Sequence, residues 1–149
     1  MYANAVAVPS IVNCSEKEAQ VAERTAKSMI DAIDRYFDTV DNRDVSGTLA
    51  ELTTDCVISV ITDGVSHKGR DEAIKAMFER RLETVNDAWH GNRRHVADPA
   101  SGVATTRFDV RRTSKDGSKI AMDNINFFEF EGAKLRRISI WMSGENTLR

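Results

Sequence analysis

Residues 118–142 constrain the fold of this chain more than any other stretch. They read Ser-Lys-Ile-Ala-Met-Asp-Asn-Ile-Asn-Phe-Phe-Glu-Phe, then Glu131-Gly132-Ala133-Lys134, then Leu-Arg-Arg-Ile-Ser-Ile-Trp-Met. Two runs rich in β-branched and aromatic residues around a glycine-containing turn predict a β-hairpin. Side chains alternate along a strand, so Met122, Asn124, Asn126, Phe128 and Phe130 share one face of the first run. Ile138, Ile140 and Met142 repeat the pattern in the second. A face that is apolar at both ends and carries two carboxamides in its middle fits the wall of a mostly apolar pocket. The alternative turns Asn124 and Asn126 to solvent and makes Ile125 and Phe127 the core. The pocket reading is preferred because it keeps Phe128 and Phe130 together inside.

The rest of the chain supplies helices to cover such a sheet. Ser15 followed by Glu18 is a capping-box pattern, and a helix is expected from Glu16 to about Asp41. Val21, Ala22, Met29, Ile30, Ile33, Phe37 and Val40 recur near the helical period, with Tyr36 at the stripe's edge. Asn42-Arg43-Asp44 breaks it, and Val45 to Leu52 reads as a short second helix. Cys56 to Thr62 is an expected strand, Asp63-Gly64 a turn and Val65 to Lys68 a short return strand. A third helix opens at Gly69-Arg70-Asp71, with Asp71 expected as its N-cap and Ile74, Met77, Phe78, Leu82 and Val85 as its apolar stripe. Trp89 to Ala97 and Val103 to Thr113 are further strands. This order predicts an α+β fold, a curved mixed or antiparallel sheet wrapped round a long helix. The expected organisation is a flexible arm over 1–14, one domain over 15–143 and a C-terminal tail over 144–149.

Composition narrows the partners. A net charge of −2 with 30% charged residues gives no field that favours nucleic acid or an anionic membrane. No apolar run approaches the roughly 20 residues of a membrane span. The N-terminal stretch lacks a basic n-region, so it does not read as a signal peptide. Two cysteines, Cys14 and Cys56, suggest no structural disulfide, and the expected location is the reducing cytoplasm. No metal is expected, because neither the three histidines nor the cysteines have ligand spacing, and no phosphate-binding glycine motif or nucleophile elbow occurs.

Three phrases carry a resemblance. Arg35-Tyr-Phe-Asp-Thr-Val-Asp-Asn-Arg-Asp44, Gly69-Arg-Asp-Glu-Ala-Ile74 and Phe128-Glu-Phe-Glu-Gly-Ala-Lys-Leu135, in this order of elements, resemble the nuclear transport factor 2-like superfamily. Its polyketide-cyclase (SnoaL-like) and ketosteroid-isomerase branches are the most similar, over about residues 18–143. The resemblance implies a cone, with a bent sheet wrapped round the first long helix, a deep pocket at one end and a homodimer through the outer face of the sheet. It also implies a small hydrophobic ligand and no cofactor.

Carried over position by position, the resemblance places Tyr36 where ketosteroid isomerases keep a phenol that donates to a developing oxyanion. Asn126 stands where those isomerases and polyketide cyclases keep an acid, and an amide can donate a hydrogen bond but not shuttle a proton. The isomerase base falls near Val60, which has no chemistry. His90 stands where dehydratase-like members carry a pocket histidine, a residue able to take and return a proton near neutrality. Asp41 keeps the spacing from Tyr36 seen in some dehydratases, but is read first as a helix-terminal turn residue. The expected lining is Asn124, Met122, Phe128, Phe108, Trp89, Ile140, Met142 and Val60.

A second resemblance competes. Thr106-Arg-Phe-Asp-Val-Arg111 is similar to the Arg-x-Asp strand of limonene-type epoxide hydrolases, which would make Asp109 and Arg107 catalytic. The partner aspartate of those enzymes falls near Ile140. Turn length decides which face these residues occupy. A three-residue loop at Lys115-Asp116-Gly117 sets Asn124 and Asn126 beside Phe108 and Thr106; a two-residue loop pairs them with Asp109 and Arg107. Gly117 favours the three-residue form, which turns Arg107, Asp109 and Arg111 outward. His95, five residues after His90, is expected on the opposite, exposed face, and His67 at the rim or surface. The Arg-Arg pairs at 93–94, 111–112 and 136–137 should each turn one guanidinium inward unless a bulge intervenes, which leaves an anionic substrate conceivable. The functional readings are a cofactor-independent dehydratase, isomerase or cyclase, a non-catalytic ligand-binding or dimerisation module, and an epoxide hydrolase-like enzyme.

Overall fold

A computed structural model describes residues 24–149. The expected arm over 1–14 and the Ser15–Glu18 capping pattern lie outside the described residues. The first described helix, α1 (Ala26–Asp41), is capped at Thr25, later than the spacing suggested. The Thr25 hydroxyl accepts from the Ser28 N–H at 3.0 Å, while the Thr25 N–H donates to Ser28 Oγ at 3.0 Å. These reciprocal bonds satisfy two of the donors that a helix start leaves open. Met29, Ala32, Ile33, Tyr36, Phe37 and Val40 form its buried stripe.

Asn42 closes α1, and Arg43 turns the chain with φ +61°. Its guanidinium donates to the carbonyls of Leu82 at 3.0 Å and of Val85, fixing the end of α1 against the third helix. Asp44 caps α2 (Val45–Ala50) by accepting from the Gly47 N–H at 2.8 Å. Leu52 belongs to the next strand and not to that helix. Strand β1 (Leu52–Val60) and strand β2 (Val65–Lys68) form the short hairpin. Gly69–Ile74 then winds as a π-helical turn before α3 (Lys75–Thr84). Asp71 is not the cap expected of it, since it lies inside that turn and binds Arg70 in two bonds of 2.8 Å.

Four strands complete the chain as a meander: β3 (Val85–Asp98), β4 (Val103–Ser114), β5 (Lys119–Glu131) and β6 (Lys134–Trp141). The sheet order is β2-β1-β6-β5-β4-β3, with β1 and β6 parallel and every other pair antiparallel. Among the described residues the result is an α+β fold with three α-helices and a curved, unclosed six-stranded sheet, in agreement with the cone that the resemblance implied. Among the described residues, no helix is long and apolar enough to cross a membrane.

Register follows the turn chemistry. Ser114 N–H donates to the Ser118 carbonyl at 2.8 Å across the three-residue loop, and Gly117 takes φ +86°. Phe108 therefore pairs with Asn124 and Thr106 with Asn126. Both carboxamides face the interior, 3% and 2% exposed. The core lies between this inner face and α1, where the Phe37 ring meets Phe108 at 4.6 Å and Phe128 at 6.0 Å between centroids. Ile125 and Trp141 pair on the outer face and are half-exposed.

Candidate active site

The site forms where α1 crosses the bulged strand β3. Between Gly91 and Arg94 the pairing with β4 slips by one residue, and Asn92 adopts φ +53°. A bulge inserts one extra residue, so side chains that would alternate come to share a face. His90 and His95 are both turned toward α1 for this reason, which corrects the expectation that His95 is exposed on the opposite face. His95 Nδ1 lies 2.9 Å from Thr106 Oγ1 and its Nε2 lies 3.3 Å from Asp34.

Asp41 is likewise not a bare turn residue. Its carboxylate points inward, accepts the His90 backbone N–H at 2.9 Å and hydrogen-bonds His90 Nδ1. A carboxylate is acceptor-only, so Nδ1 carries a proton, and in the neutral imidazole Nε2 is left with the lone pair. Phe37 stacks on the imidazole at 5.4 Å, and Phe108 packs at 5.7 Å. Arg93 braces the arrangement from behind. It donates to the His90 carbonyl at 2.8 Å, to Asp34 at 2.9 Å and to Asp38 at 2.8 Å, and lies 3.9 Å from Asp41. Although burial opposes its charge, the bonds to Asp34 and Asp38 hold its pKa above the ordinary value.

His90 lines a narrow cavity of about 30 Å³ together with Tyr36, Asn124 and Asn126. Phe108, Met122, Ile140 and Met142 supply its apolar wall. Burial pushes the Tyr36 hydroxyl well above the usual phenol range, so it is a neutral hydrogen-bond donor at any physiological pH. Asn124 Oδ1 accepts from the Ser143 N–H at 3.2 Å, whereas Asn126 Oδ1 is buried without a partner among the described residues.

Three residues expected in the lining stand elsewhere. Trp89 is on the outer face beneath Arg111, whose guanidinium carbon sits 5.1 Å from the ring centroid, because it neighbours the inward His90 on a strand. Phe128 and Val60 are fully buried in the core and do not border the cavity. Arg107 and Asp109 face outward. Arg107 pairs with Asp123, and Asp109 accepts from Asn92 Nδ2 at 2.7 Å, so neither joins the site. His67 is not a surface residue, being buried with Nε2 2.6 Å from the Leu148 carbonyl.

Two arginines complete the picture, Arg112 from a strand pair expected to turn one guanidinium inward and Arg81 from a helix for which no inward arginine was expected. Arg81 of α3 and Arg112 of β4 border both the inner cavity and an adjoining groove of about 630 Å³. At the last Arg-Arg pair, a register shift between Glu129 and Phe130 turns both Arg136 and Arg137 outward toward Glu129. Among the described residues, no group of three or more metal-ligating side chains forms.

A sequence profile of the SnoaL-like domain matches residues 33–138, most of the chain. The protein belongs to the SnoaL-like family. Solved structures with the same fold include a provisionally assigned polyketide cyclase from Xanthomonas campestris, 14% identical over 77% of this chain and 90% of that one, with a TM-score of 0.69. A second provisionally assigned cyclase, from a Silicibacter species, is 20% identical over 78% of this chain and 90% of its own, also at 0.69. A provisionally assigned isomerase from Bacillus subtilis is 9% identical over 78% and 87%, with a TM-score of 0.70. At these identities the likeness establishes the fold. No curated protein matches the sequence. The three phrases that carried the resemblance all lie within or beside the matched span of this SnoaL-like chain.

Proposed function

We propose that this SnoaL-like protein is a cofactor-independent enzyme of the dehydratase, isomerase or cyclase type. It acts on a small hydrophobic metabolite of polyketide, terpenoid or steroid character, in the cytoplasm. The observation that carries the reading is the His90–Asp41 pair beside a cavity that Tyr36 also lines. Asp41 fixes the tautomer and orientation of the imidazole, as a carboxylate behind a catalytic histidine does in general. His90 Nε2 removes a proton from carbon next to a carbonyl, the C–H bond breaks and an N–H bond forms. Tyr36 donates to the oxygen that gains charge. The imidazolium then returns the proton, to carbon in an isomerisation or to a departing hydroxyl in a dehydration. Asn124 and Asn126 orient the ligand.

The test needs no natural substrate. Proton exchange of 2-tetralone in D₂O, followed by NMR, reads removal of an acidic C–H directly. The wild type should accelerate exchange over buffer. His90→Ala should abolish most of the acceleration, and Tyr36→Phe should reduce it on the order of 100-fold, as the loss of one oxyanion donor does. Exchange no faster than in buffer favours the rival reading, a non-catalytic ligand-binding or dimerisation module. The narrowness of the inner cavity is the observation on that side. We also propose a homodimer through the outer face of the sheet, where Ile125 and Trp141 are 42% and 41% exposed. Sedimentation of Trp141→Lys as a monomer, against a wild-type dimer, tests it.

A further inference from the structure

Arg81 is a charged side chain in an unusual position. The residue is only 8% exposed, yet its guanidinium makes no hydrogen bond or ion pair among the described residues. Arg93, the comparable inward arginine, has three aspartates and a carbonyl around it. Asp41 is the acid whose charge acts on Arg81, but its oxygens are already committed to His90. Arg112 compounds the problem. Its Nε is buried without a partner among the described residues, and its side-chain bond, to Ser114 Oγ, is long at 3.4 Å. Two guanidiniums therefore border the same neck, between the inner cavity and the outer groove; Glu145 also lines that groove, but among the described residues neither guanidinium is paired with a carboxylate.

Burying like charges without a counter-charge is costly, and proteins keep such arrangements where a ligand supplies the missing sign. Burial, and then the positive charge of Arg112, hold the Arg81 pKa below its ordinary value, which is the strain an anion would relieve. The surroundings indicate what the anion is attached to. Met77, Ile120 and Met122 flank the arginines in the groove, and Phe78 and Met142 continue the apolar surface inward. A guanidinium presents two parallel N–H groups that match a planar carboxylate.

We infer that Arg81 and Arg112 form a binding site for the carboxylate of a hydrophobic acid, whose hydrocarbon part runs from the groove toward His90 and Tyr36. A hydroxyl on that ligand would reach the unpartnered Asn126 Oδ1. The inference deepens the proton-transfer reading by naming the substrate class. It rests on that reading only in treating the acid as a substrate, since binding stands by itself.

Calorimetric titration of the full chain with 2-naphthoate, with 2-naphthamide as its neutral counterpart, and with inorganic phosphate tests the site. Naphthoate should bind the wild type at least about ten-fold more tightly than naphthamide, the difference expected of a charge-assisted paired hydrogen bond. Arg81→Gln and Arg112→Gln should remove that advantage, while Arg80→Gln at the exposed rim should keep it. Equal affinity of acid and amide for the wild type overturns the site, and this comparison needs no variant to fold. An equal loss in Arg80→Gln, which marks diffuse surface charge, overturns it too. So does displacement of naphthoate by an equal concentration of phosphate, which marks a general anion site. Naphthoate binding without 2-tetralone exchange keeps this site and removes the catalytic reading; exchange without preferential acid binding does the reverse.

Discussion

His90 and Asp41 hold each other across the seam between α1 and β3, with both carboxylate oxygens engaged, one by the imidazole Nδ1 and one by the His90 backbone N–H at 2.9 Å. This grip on ring and backbone together fixes the direction of Nε2 as well as the tautomer of the neutral ring. In histidine ¹⁵N spectra His90 should therefore show the Nδ1–H tautomer, although free imidazole favours Nε2–H. Asp41→Asn should shift it toward the commoner form, because an amide can offer either a donor or an acceptor. An unchanged His90 pattern in that variant removes Asp41 from the role of orienting partner.

Arg93 ties strand to helix through Asp34 and Asp38 while holding the His90 carbonyl. Arg93→Ala leaves acids facing one another in a half-buried seam and should cost about 1–3 kcal/mol, below the range for a fully buried pair because Asp38 is exposed. Urea denaturation should show a lower midpoint at an unchanged slope. Arg93→Lys should recover only part of the loss, since an ammonium cannot fork to two carboxylates. A full recovery would mean that charge alone matters there.

The hairpin over 118–142, the helix stripe and the three-residue loop were legible because period and turn chemistry are local. Gly117 at φ +86° is the kind of residue such a loop requires, and it set the inward faces of Asn124 and Asn126. His95 was misplaced because alternation holds only in an unbroken ladder, and the break at Asn92 has no signature beyond an asparagine beside a glycine. Asp41 was undervalued for a related reason. The sequence shows where a helix ends, but not that its last carboxylate meets a strand 49 residues further on. Arg81 was hidden in an apparently polar helix face, since burial of that position depends on how α3 sits against the sheet. The departures cluster at the site itself, where local rules yield to arrangement.

The bulge makes a prediction of its own. Asn92→Val forces a β-branched residue into a left-handed backbone and should cost roughly 1–2 kcal/mol, while Asn92→Gly should be nearly neutral. Thermal unfolding distinguishes them. If valine is tolerated as well as glycine, the backbone at 92 is not held where the register places it.

Alkaline pH should weaken the fold through two buried acids. Burial pushes the Cys56 thiol up to about 12 and carries the Tyr36 phenol higher still. Below pH 9 both folded and unfolded chains keep these protons, and the contribution to stability is fully present. Above it the unfolded chain releases the Cys56 proton, from an ordinary value of 9.0, while the folded chain retains it, so stability falls as pH rises. Tyr36 adds to the decline above its ordinary 10.0. Denaturation between pH 8 and 11 should show this fall, made shallower in Cys56→Ala. An identical slope in that variant would show that Cys56 is not held as the buried thiol.

The C-terminal tail forms part of the cavity wall. Thr147 and Leu148 border it, and the Leu148 carbonyl lies 2.6 Å from His67 Nε2. The tail is pinned further on, where Asn146 Nδ2 donates to Asp63 Oδ2 at 3.0 Å, Arg149 approaches the same oxygen at 3.5 Å and Leu148 N–H donates to Asn146 Oδ1 at 2.8 Å. A cavity of about 30 Å³ has room for about one water, so a metabolite reaches His90 only when bordering side chains move, and withdrawal of Leu148 would make that room. Asp63→Ala releases two of these ties without touching the core, and should change global stability by less than about 0.5 kcal/mol. The association rate of 2-naphthoate, read by its own fluorescence in stopped flow, should rise several-fold in that variant, because opening of a tail of this kind gates entry. A rate unaffected by Asp63→Ala, with the fold intact, would place the entrance along the Arg81–Arg112 groove alone and leave the tail as packing.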